Sequence, residues 1–158
     1  MTTNPHHWPV RVYYEDTDAA GVVYHAGYLR FMERGRTEWL RARGIDQGRW
    51  YRETGLMFAV AHMEIAFQGP SRMDDALQVV TRMETIRRAS VHFSQEIVRV
   101  VDREVLIRAV VRVACIDAHF RPRRLPEALR ASLVAVESQV VCGESICRDK
   151  HVARDKDG

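Results

Sequence analysis

The sequence has few residues of the kinds that cross-link a protein or anchor it in a membrane. It contains three cysteines, Cys115, Cys142 and Cys147, and none stands at a zinc-like spacing from a second pair or a histidine partner. No stretch approaches the roughly 18 apolar residues of a membrane span, and MTTNPHHWPV has no basic segment followed by an apolar core. We therefore expect reduced thiols, no structural metal, no transmembrane segment and a soluble cytoplasmic protein.

The charge excess is also small. The formal net charge is +3 and the pI about 9.0, which suits a phosphate-bearing ligand but falls short of a dedicated nucleic-acid surface. A chain of 158 residues with 46% apolar content is long enough for one compact domain. We assign residues 1–137 to that single domain. Residues 138–158, which show little apolar periodicity, are expected to form a flexible C-terminal tail.

Apolar spacing predicts an α+β fold. Tyr28, Phe31, Met32, Trp39 and Leu40 form one face of a long helix over residues 25–43. Gly35 lies on the same face, where a glycine is unfavourable unless close packing, here expected against another backbone, compensates for it. Period-two patterns predict strands, and the last three of them have no helix between them, which favours an antiparallel meander with the long helix against it. The strands cover residues 8–15, 62–67, 76–87, 90–101 and 105–115, with short helices expected over 46–54 and 125–136.

The segment YYEDTDAAGVVYHAGY, residues 13–28, joins the first strand to the long helix. Its Asp, Thr and Gly residues are turn formers. An EF-hand calcium loop is excluded because Ala20 and Gly27 occupy ligand positions. A phosphatase-type D-x-D nucleophile would need a parallel sheet of alternating strands and helices, against which the meander argues. His62-x-Glu64 begins like a zinc deaminase motif, but no P-C-x-x-C follows, so we interpret this pair as one strand face.

The start of the long helix offers a further interpretation of the loop. Val22-Val23-Tyr24 contains no Ser, Thr, Asp or Asn, so no immediate side chain is available to cap the first amides. Free amides at a helix N-terminus suit a developing oxyanion, and a carboxylate seven residues upstream could stand opposite them. Such a pair is sufficient to hydrolyse an activated acyl group. The residues alone leave this alternative open beside the plain turn.

A family resemblance decides between these alternatives. WPVRVYYEDTDAAGVVYHAGYLRFMERGRTEWLR closely resembles the opening of the Tol-Pal-associated, YbgC-type acyl-CoA thioesterases of the 4-hydroxybenzoyl-CoA thioesterase family, in the hotdog superfamily. The resemblance continues through GPSRMDD, SVHFSQEIVR, CID and RPRRLP, and covers about residues 8–133. It implies a hotdog fold, in which an antiparallel sheet wraps a long central helix. It also implies homodimers with a continuous sheet, often assembled as homotetramers, and an active site at the dimer interface.

The same resemblance assigns catalytic roles. It makes Asp18 the catalytic carboxylate and the backbone amide at His25 the group that polarises the thioester carbonyl, while Asp16 is left to shape the loop. Two positions depart from the related sequences, where residue 27 is usually Asn or Ser and residue 35 is commonly Ala; both are Gly in this chain. The departures leave the acid and the amide in place but put the geometry of the helix start, and hence the level of activity, in question.

We predict the remaining site residues from their surroundings and from this family. Arg87 and Arg88, in the turn before Ser90, match a basic stretch that contacts the CoA nucleotide, and arginine suits phosphate. The acyl pocket is assigned to Tyr24, Phe58 and Val60. A second candidate phosphate patch comprises Arg121, Arg123 and Arg124.

The expected reaction is hydrolysis of short-chain or aromatic acyl-CoA thioesters, with no cofactor. The alternative is a hotdog protein that binds acyl carrier protein or envelope and lipid-synthesis partners with little turnover. Acyl carrier protein and peripheral association with the inner membrane are therefore further expectations. An intact Asp18 favours the enzyme.

Overall fold

The computed structural model describes residues 4–135, so the predicted tail over 138–158, which includes Cys142 and Cys147, lies outside the described residues. The described part is an α+β fold of five strands and three helices, and this fold class is confirmed. A single 3₁₀ turn, Tyr14–Asp16, follows the first strand. In chain order the elements are β1 (His6–Arg11), α1 (Gly27–Arg41), α2 (Gln47–Thr54), β2 (Leu56–Phe67), β3 (Ala76–Ile86), β4 (Ser90–Arg99), β5 (Val105–Asp117) and α3 (Glu127–Val134).

The strands form one antiparallel sheet in the order β1-β3-β4-β5-β2. The meander expected for the last three strands is confirmed. The meander does not extend to β2. This strand is not beside β3 but pairs with β5, at the edge of the sheet opposite β1. The physical reason is that α1 lies between β1 and β2 in the chain and packs on the face of the sheet, so the chain leaves one edge and returns at the other.

The apolar face of α1 forms the centre of the core. All five residues of the predicted stripe are buried, and Trp39 packs edge-to-face on Phe93 of β4 with ring centroids 5.2 Å apart. The sheet contributes the inward residues of β3, β4 and β5, including Val79, Ile97 and Val111. The helix begins at Gly27 rather than at residue 25. The first strand ends at Arg11 rather than at residue 15, because the chain forms the 3₁₀ turn at Tyr14–Asp16.

Gly35 sits where α1 comes closest to the sheet. A Cβ at this position would lie 2.6 Å from Val79 Cγ1 and 3.1 Å from Thr81 Oγ1. The predicted close packing is confirmed, but the neighbours are side chains of β3 rather than backbone. The absence of a side chain at Gly35 therefore sets the distance between the helix and the sheet.

We expect Gly35→Ala to destabilise the protein by about 1–3 kcal/mol, because the added methyl group overpacks the contact with Val79. Gly48→Ala in α2 is the matched control. Its Cβ would meet only ordinary contacts at 3.4 and 3.5 Å, so the helix preference for alanine should stabilise it by about 0.5–1 kcal/mol. Urea denaturation of both variants measures the difference. Equal stability of Gly35→Ala and wild type would contradict the close contact.

Candidate active site

Asp16 fixes the loop that precedes α1. Its side chain is buried, with Oδ2 accepting the Tyr13 amide at 2.9 Å and Oδ1 paired with the Arg30 guanidinium at 3.1 Å. Its backbone carbonyl accepts the Tyr24 amide at 3.1 Å. These contacts tie both ends of the loop to the first turn of the helix, so Asp16 has a structural role.

Asp18 lies two residues further on and is exposed. Its Oδ1 accepts the Ala20 amide at 2.8 Å, and its backbone amide donates to the Val22 carbonyl at 2.9 Å. Gly21 closes this turn with a φ of +73°, a conformation that favours glycine. The predicted turn is confirmed. Within residues 4–135, Oδ2 of Asp18 has no hydrogen-bond partner, so one carboxylate oxygen is available.

The start of α1 is uncapped, as the sequence predicts. Ala26 occupies the N-cap position and no side chain caps the helix. In the part of the chain that the structure describes, the amides of His25 and Ala26 donate to no acceptor, whereas the Gly27 amide bonds to the Tyr24 carbonyl at 2.7 Å. Free amides and the helix dipole together make this end electropositive.

The carboxylate and the helix start share one open cleft. It has a volume of about 430 Å³ and is lined by the loop residues 15–18 together with Tyr24, Ala26, Gly27 and Arg30. Gly27 is buried, and a Cβ there would lie 3.2 Å from Val23 Cγ1, so a larger residue would require Val23 to move. An acidic group and amide donors in one cleft suit attack on a carbonyl whose oxygen gains charge.

The His25 side chain belongs to an aromatic group beside the cleft. Its ring lies 4.3 Å from Tyr24 and 6.3 Å from Phe67 at the end of β2. Tyr24 is 51% exposed and lines the cleft. The imidazole makes no hydrogen bond to any described residue, so its contacts are with rings.

Phe58 and Val60 are not close to Tyr24 in the single chain. They line a second cavity, of about 90 Å³, between α1 and the sheet, together with Val91 and Val113. Phe58 also packs on Trp50 of α2, with ring centroids 4.9 Å apart. Since β2 runs from this cavity to Phe67 beside His25, the cavity and the cleft lie towards opposite ends of the edge strand.

Arg87, Arg88 and Ser90 are also distant from the cleft. They lie at the turn after β3, whereas the Asp18 loop is bound to residues just before β3 through the Val23 amide and the Ser71 carbonyl. The eleven residues of β3 span roughly 30 Å at about 3.3 Å per residue. One chain alone therefore does not bring the basic turn to Asp18.

The two basic patches predicted from the sequence lie next to each other. The Leu125 amide donates to the Arg88 carbonyl at 2.9 Å, so the segment after Arg124 runs beside the β3–β4 turn. Arg123 pairs with Asp117 at 2.6 Å and is not a free cation. Hydrogen bonds from the Arg121 amide, the Arg123 side chain and the His119 amide lower the pKa of Asp117 to about 2.

His92 extends this basic surface. Partial burial and the charges of Arg87 and Arg112 lower its pKa. Its Nε2 lies 3.4 Å from Ser90 Oγ. Because its pKa is lowered, His92 adds little positive charge, and the net charge of this surface comes from the arginines.

Sequence reasoning missed two arginines of α1. Arg30 lines the cleft, and Arg36 lines the second cavity while being 8% exposed. A signal for Arg36 was present, since it falls four residues after Met32 and three before Trp39, on the buried face of the helix. Arg30 had no such signal, because its place depends on the fold of the Asp16 loop.

Residues 4–135 contain no group of three or more His, Cys, Asp or Glu side chains placed to hold a metal ion. His62 and Glu64 instead bond to each other at 3.1 Å on an exposed strand face.

None of the described helices is long and apolar enough to cross a membrane. Cys115 is a buried free thiol, and burial raises its pKa.

Comparison with known proteins places these features in a family. The model of the thioesterase-like superfamily matches residues 12–133. The acyl-CoA thioester hydrolase YbgC of Escherichia coli O6:H1 is 43% identical over 132 residues, which cover 83% of this chain and 97% of the relative. The acyl-CoA thioesterase YbgC of Haemophilus influenzae is 41% identical over 133 residues, covering 84% of this chain and 96% of the relative.

A solved structure agrees with these relatives. The crystal structure of a probable thioesterase from Bartonella henselae is 40% identical, with a TM-score of 0.73, and the match covers 78% of this chain and 100% of that one. The implied hotdog fold and the family resemblance are thereby confirmed. This chain belongs to the thioesterase-like hotdog superfamily and, within it, to the YbgC family of acyl-CoA thioesterases.

Proposed function

We propose that this chain hydrolyses acyl-CoA thioesters, with Asp18 as the catalytic carboxylate and the amide at His25 as the oxyanion donor. The observation that carries the proposal is the shared cleft, in which an available carboxylate oxygen stands with the uncapped start of α1. The activity named for the YbgC relatives supports the same reaction. No cofactor is needed, because the carboxylate and the amides supply the chemistry.

In this mechanism, Asp18 either attacks the thioester carbonyl carbon or removes a proton from a water molecule that attacks it. The carbonyl oxygen gains negative charge, which the free amide at the helix start stabilises; one such donor contributes about 10²- to 10³-fold in rate. If Asp18 acts as the base, the C–S bond then breaks, the acyl group is released as the acid, and the proton on Asp18 passes to the CoA thiolate. If Asp18 is the nucleophile, breaking the C–S bond releases the thiolate and leaves the acyl group on Asp18 as a mixed anhydride, which water hydrolyses to the acid.

We propose short-chain or aromatic acyl groups as substrates, since the cavity bordered by Phe58 and Val60 is only about 90 Å³. Coenzyme A carries phosphates, and Arg87 and Arg88 with Ser90 are the proposed contacts for its nucleotide. The proposed location is the cytoplasm.

A complete site requires a second chain. β2 is an edge strand of twelve residues, with Phe58 near its start and Phe67, next to His25, at its end. Antiparallel pairing of two β2 edges places the start of one strand beside the end of the other. Asp18 of one subunit then faces the cavity and the basic turn of the second. We therefore propose a homodimer as the active unit, which a second pairing can extend to a homotetramer.

Asp18→Asn is expected to lower kcat by at least about 10³-fold on every cleavable acyl-CoA, because an amide neither attacks nor accepts the proton at useful rates. Its melting temperature should match wild type, since Asp18 is exposed. Asp16→Asn is the matched control for the same chemical change nearby. It should lower stability by about 1–3 kcal/mol through the lost Arg30 pair. Near-wild-type turnover by Asp18→Asn would disprove the catalytic assignment.

The same assay distinguishes the enzyme from the binding protein. The panel contains short-chain, long-chain and aromatic acyl-CoAs and one acyl-carrier-protein thioester. Hydrolysis of at least one of them by wild type, lost in Asp18→Asn, supports the enzyme. Inactivity across the panel together with tight binding of the carrier protein would support the alternative.

For Arg88→Ala we expect a higher KM for acyl-CoA with kcat unchanged, because the nucleotide contact is made equally in the ground and transition states. A loss of about 1.5–3 kcal/mol in charge-assisted hydrogen bonding corresponds to roughly a 10-fold or greater increase in KM. Arg41→Ala removes an exposed arginine paired with Glu38 and serves as the control. If Arg88→Ala retains the wild-type KM, the CoA nucleotide binds elsewhere.

Because each proposed active site uses residues of both subunits, two inactive variants should complement each other. Asp18→Asn removes the acid and Val60→Trp fills the cavity, so each homodimer should be inactive. Mixed dimers keep one site with an intact acid and an intact cavity, and random pairing should restore about a quarter of wild-type activity. Two different affinity tags on the two variants, purified in sequence, isolate the mixed dimers. Mixed dimers without activity would show that each site is made within one chain.

A further inference from the structure

Arg36 is a charged residue on the buried face of α1. It is only 8% exposed. Burial lowers its pKa, and the charge of Glu33 acts in the opposite direction. A guanidinium held out of water is costly unless an acceptor or an anion compensates for it.

Gln95 holds Arg36 in place. Arg36 Nη1 donates to Gln95 Oε1 at 2.8 Å. The amide nitrogen of Gln95 donates to the Met32 carbonyl at 2.9 Å and to Thr81 Oγ1 at 2.8 Å. Gln95 is 1% exposed and uses both ends of its side chain, so it orients the guanidinium from the sheet side.

This network satisfies only part of the guanidinium. No carboxylate among residues 4–135 forms an ion pair with Arg36, and its other N–H groups have no acceptor there. Glu33 is exposed and instead accepts a hydrogen bond from Thr37 Oγ1 at 2.6 Å. The positive charge of Arg36 is therefore left without a direct partner.

The available side of Arg36 borders the second cavity. The walls of this cavity are mainly apolar and include Leu40, Phe58, Val91 and Phe93. Glu33, Thr37 and Gln47 also line it beside Arg36, which is the cation among the lining residues. Apolar walls with an oriented guanidinium fit a ligand that is apolar along its length and anionic at its end. A carboxylate suits the planar guanidinium, which can donate to both of its oxygens.

We propose that Arg36 selects acyl groups that end in a carboxylate, so that CoA monothioesters of short dicarboxylic acids are preferred substrates. The inference rests on the proposed function, because it places the acyl group in the cavity beside Phe58 and Val60. Glu33 also lines this cavity and its charge acts on Arg36. Its side chain is exposed, so solvent screens its charge, and Thr37 binds one of its oxygens. Gln95 is a positioning residue in this arrangement.

The test compares glutaryl-CoA with pentanoyl-CoA, which have the same five-carbon chain but end in a carboxylate and a methyl group. Wild type should show a kcat/KM for glutaryl-CoA about 10-fold or more above that for pentanoyl-CoA. Arg36→Met should lose this preference by a fall on glutaryl-CoA alone. Arg36→Lys should keep part of it, since the charge remains but the fork is lost. Arg34→Met, an exposed change on the same helix, should alter neither substrate.

Equal falls on both substrates in Arg36→Met, or a wild type that prefers pentanoyl-CoA, would overturn the inference. If wild type hydrolyses neither thioester, the wider acyl-CoA panel decides the proposed function, and binding decides the inference separately. Glutarate should then raise the melting temperature of wild type, while pentanoate should not. Equal shifts with both acids would overturn it. If Arg36→Met does not fold, the wild-type comparison of glutaryl-CoA with pentanoyl-CoA, or of the two acids, decides the inference.

Discussion

The close contact between α1 and the sheet is the constraint on which the rest of the structure depends. Gly35 allows the helix to rest on Val79 and Thr81, and this contact fixes how far α1 stands from β3. The Asp16 loop is bound to the first turn of that helix through Arg30. The helix that makes the close contact in the core is thus also the one that anchors the loop carrying Asp18.

The structure keeps the helix start accessible by directing local polar contacts elsewhere. In most helices a Ser, Thr, Asp or Asn side chain would cap the first amides. In this chain Asp16 turns to Tyr13 and Arg30, and Asp18 bonds to Ala20. Two acidic side chains lie close to an electropositive helix end, yet neither caps it. This arrangement leaves the donors for a substrate and separates a structural carboxylate from an available one.

Much of the fold follows from local sequence patterns. The spacing of Phe31, Met32 and Trp39 predicted the buried face of α1, and period-two patterns predicted the strands, because these periodicities reflect which side faces the core. The position of β2 beside β5 could not be predicted in this way. Strand order depends on where α1 returns the chain, which is a property of tertiary packing.

The site was predictable to a smaller extent. The uncapped start of α1 was predictable from the sequence, since capping chemistry is local. The choice of Asp18 as the catalytic carboxylate came from the family resemblance and stays a prediction. The sequence could not show that Tyr24 lies apart from Phe58 and Val60, or that Arg123 is engaged by Asp117. Those relations depend on residues brought together from separate strands and turns. Arg36 was overlooked because an arginine on an apolar stripe is ordinarily taken for an exposed residue.

The unpaired edge of β2 has a consequence for how the protein behaves in solution. Twelve residues of strand present main-chain donors and acceptors that invite any extended peptide to add to the sheet. The exposed His62–Glu64 pair lies on this strand and places polar groups along the edge. Charged side chains of this kind disfavour indiscriminate strand addition. The edge thus combines a capacity for self-association with protection against aggregation.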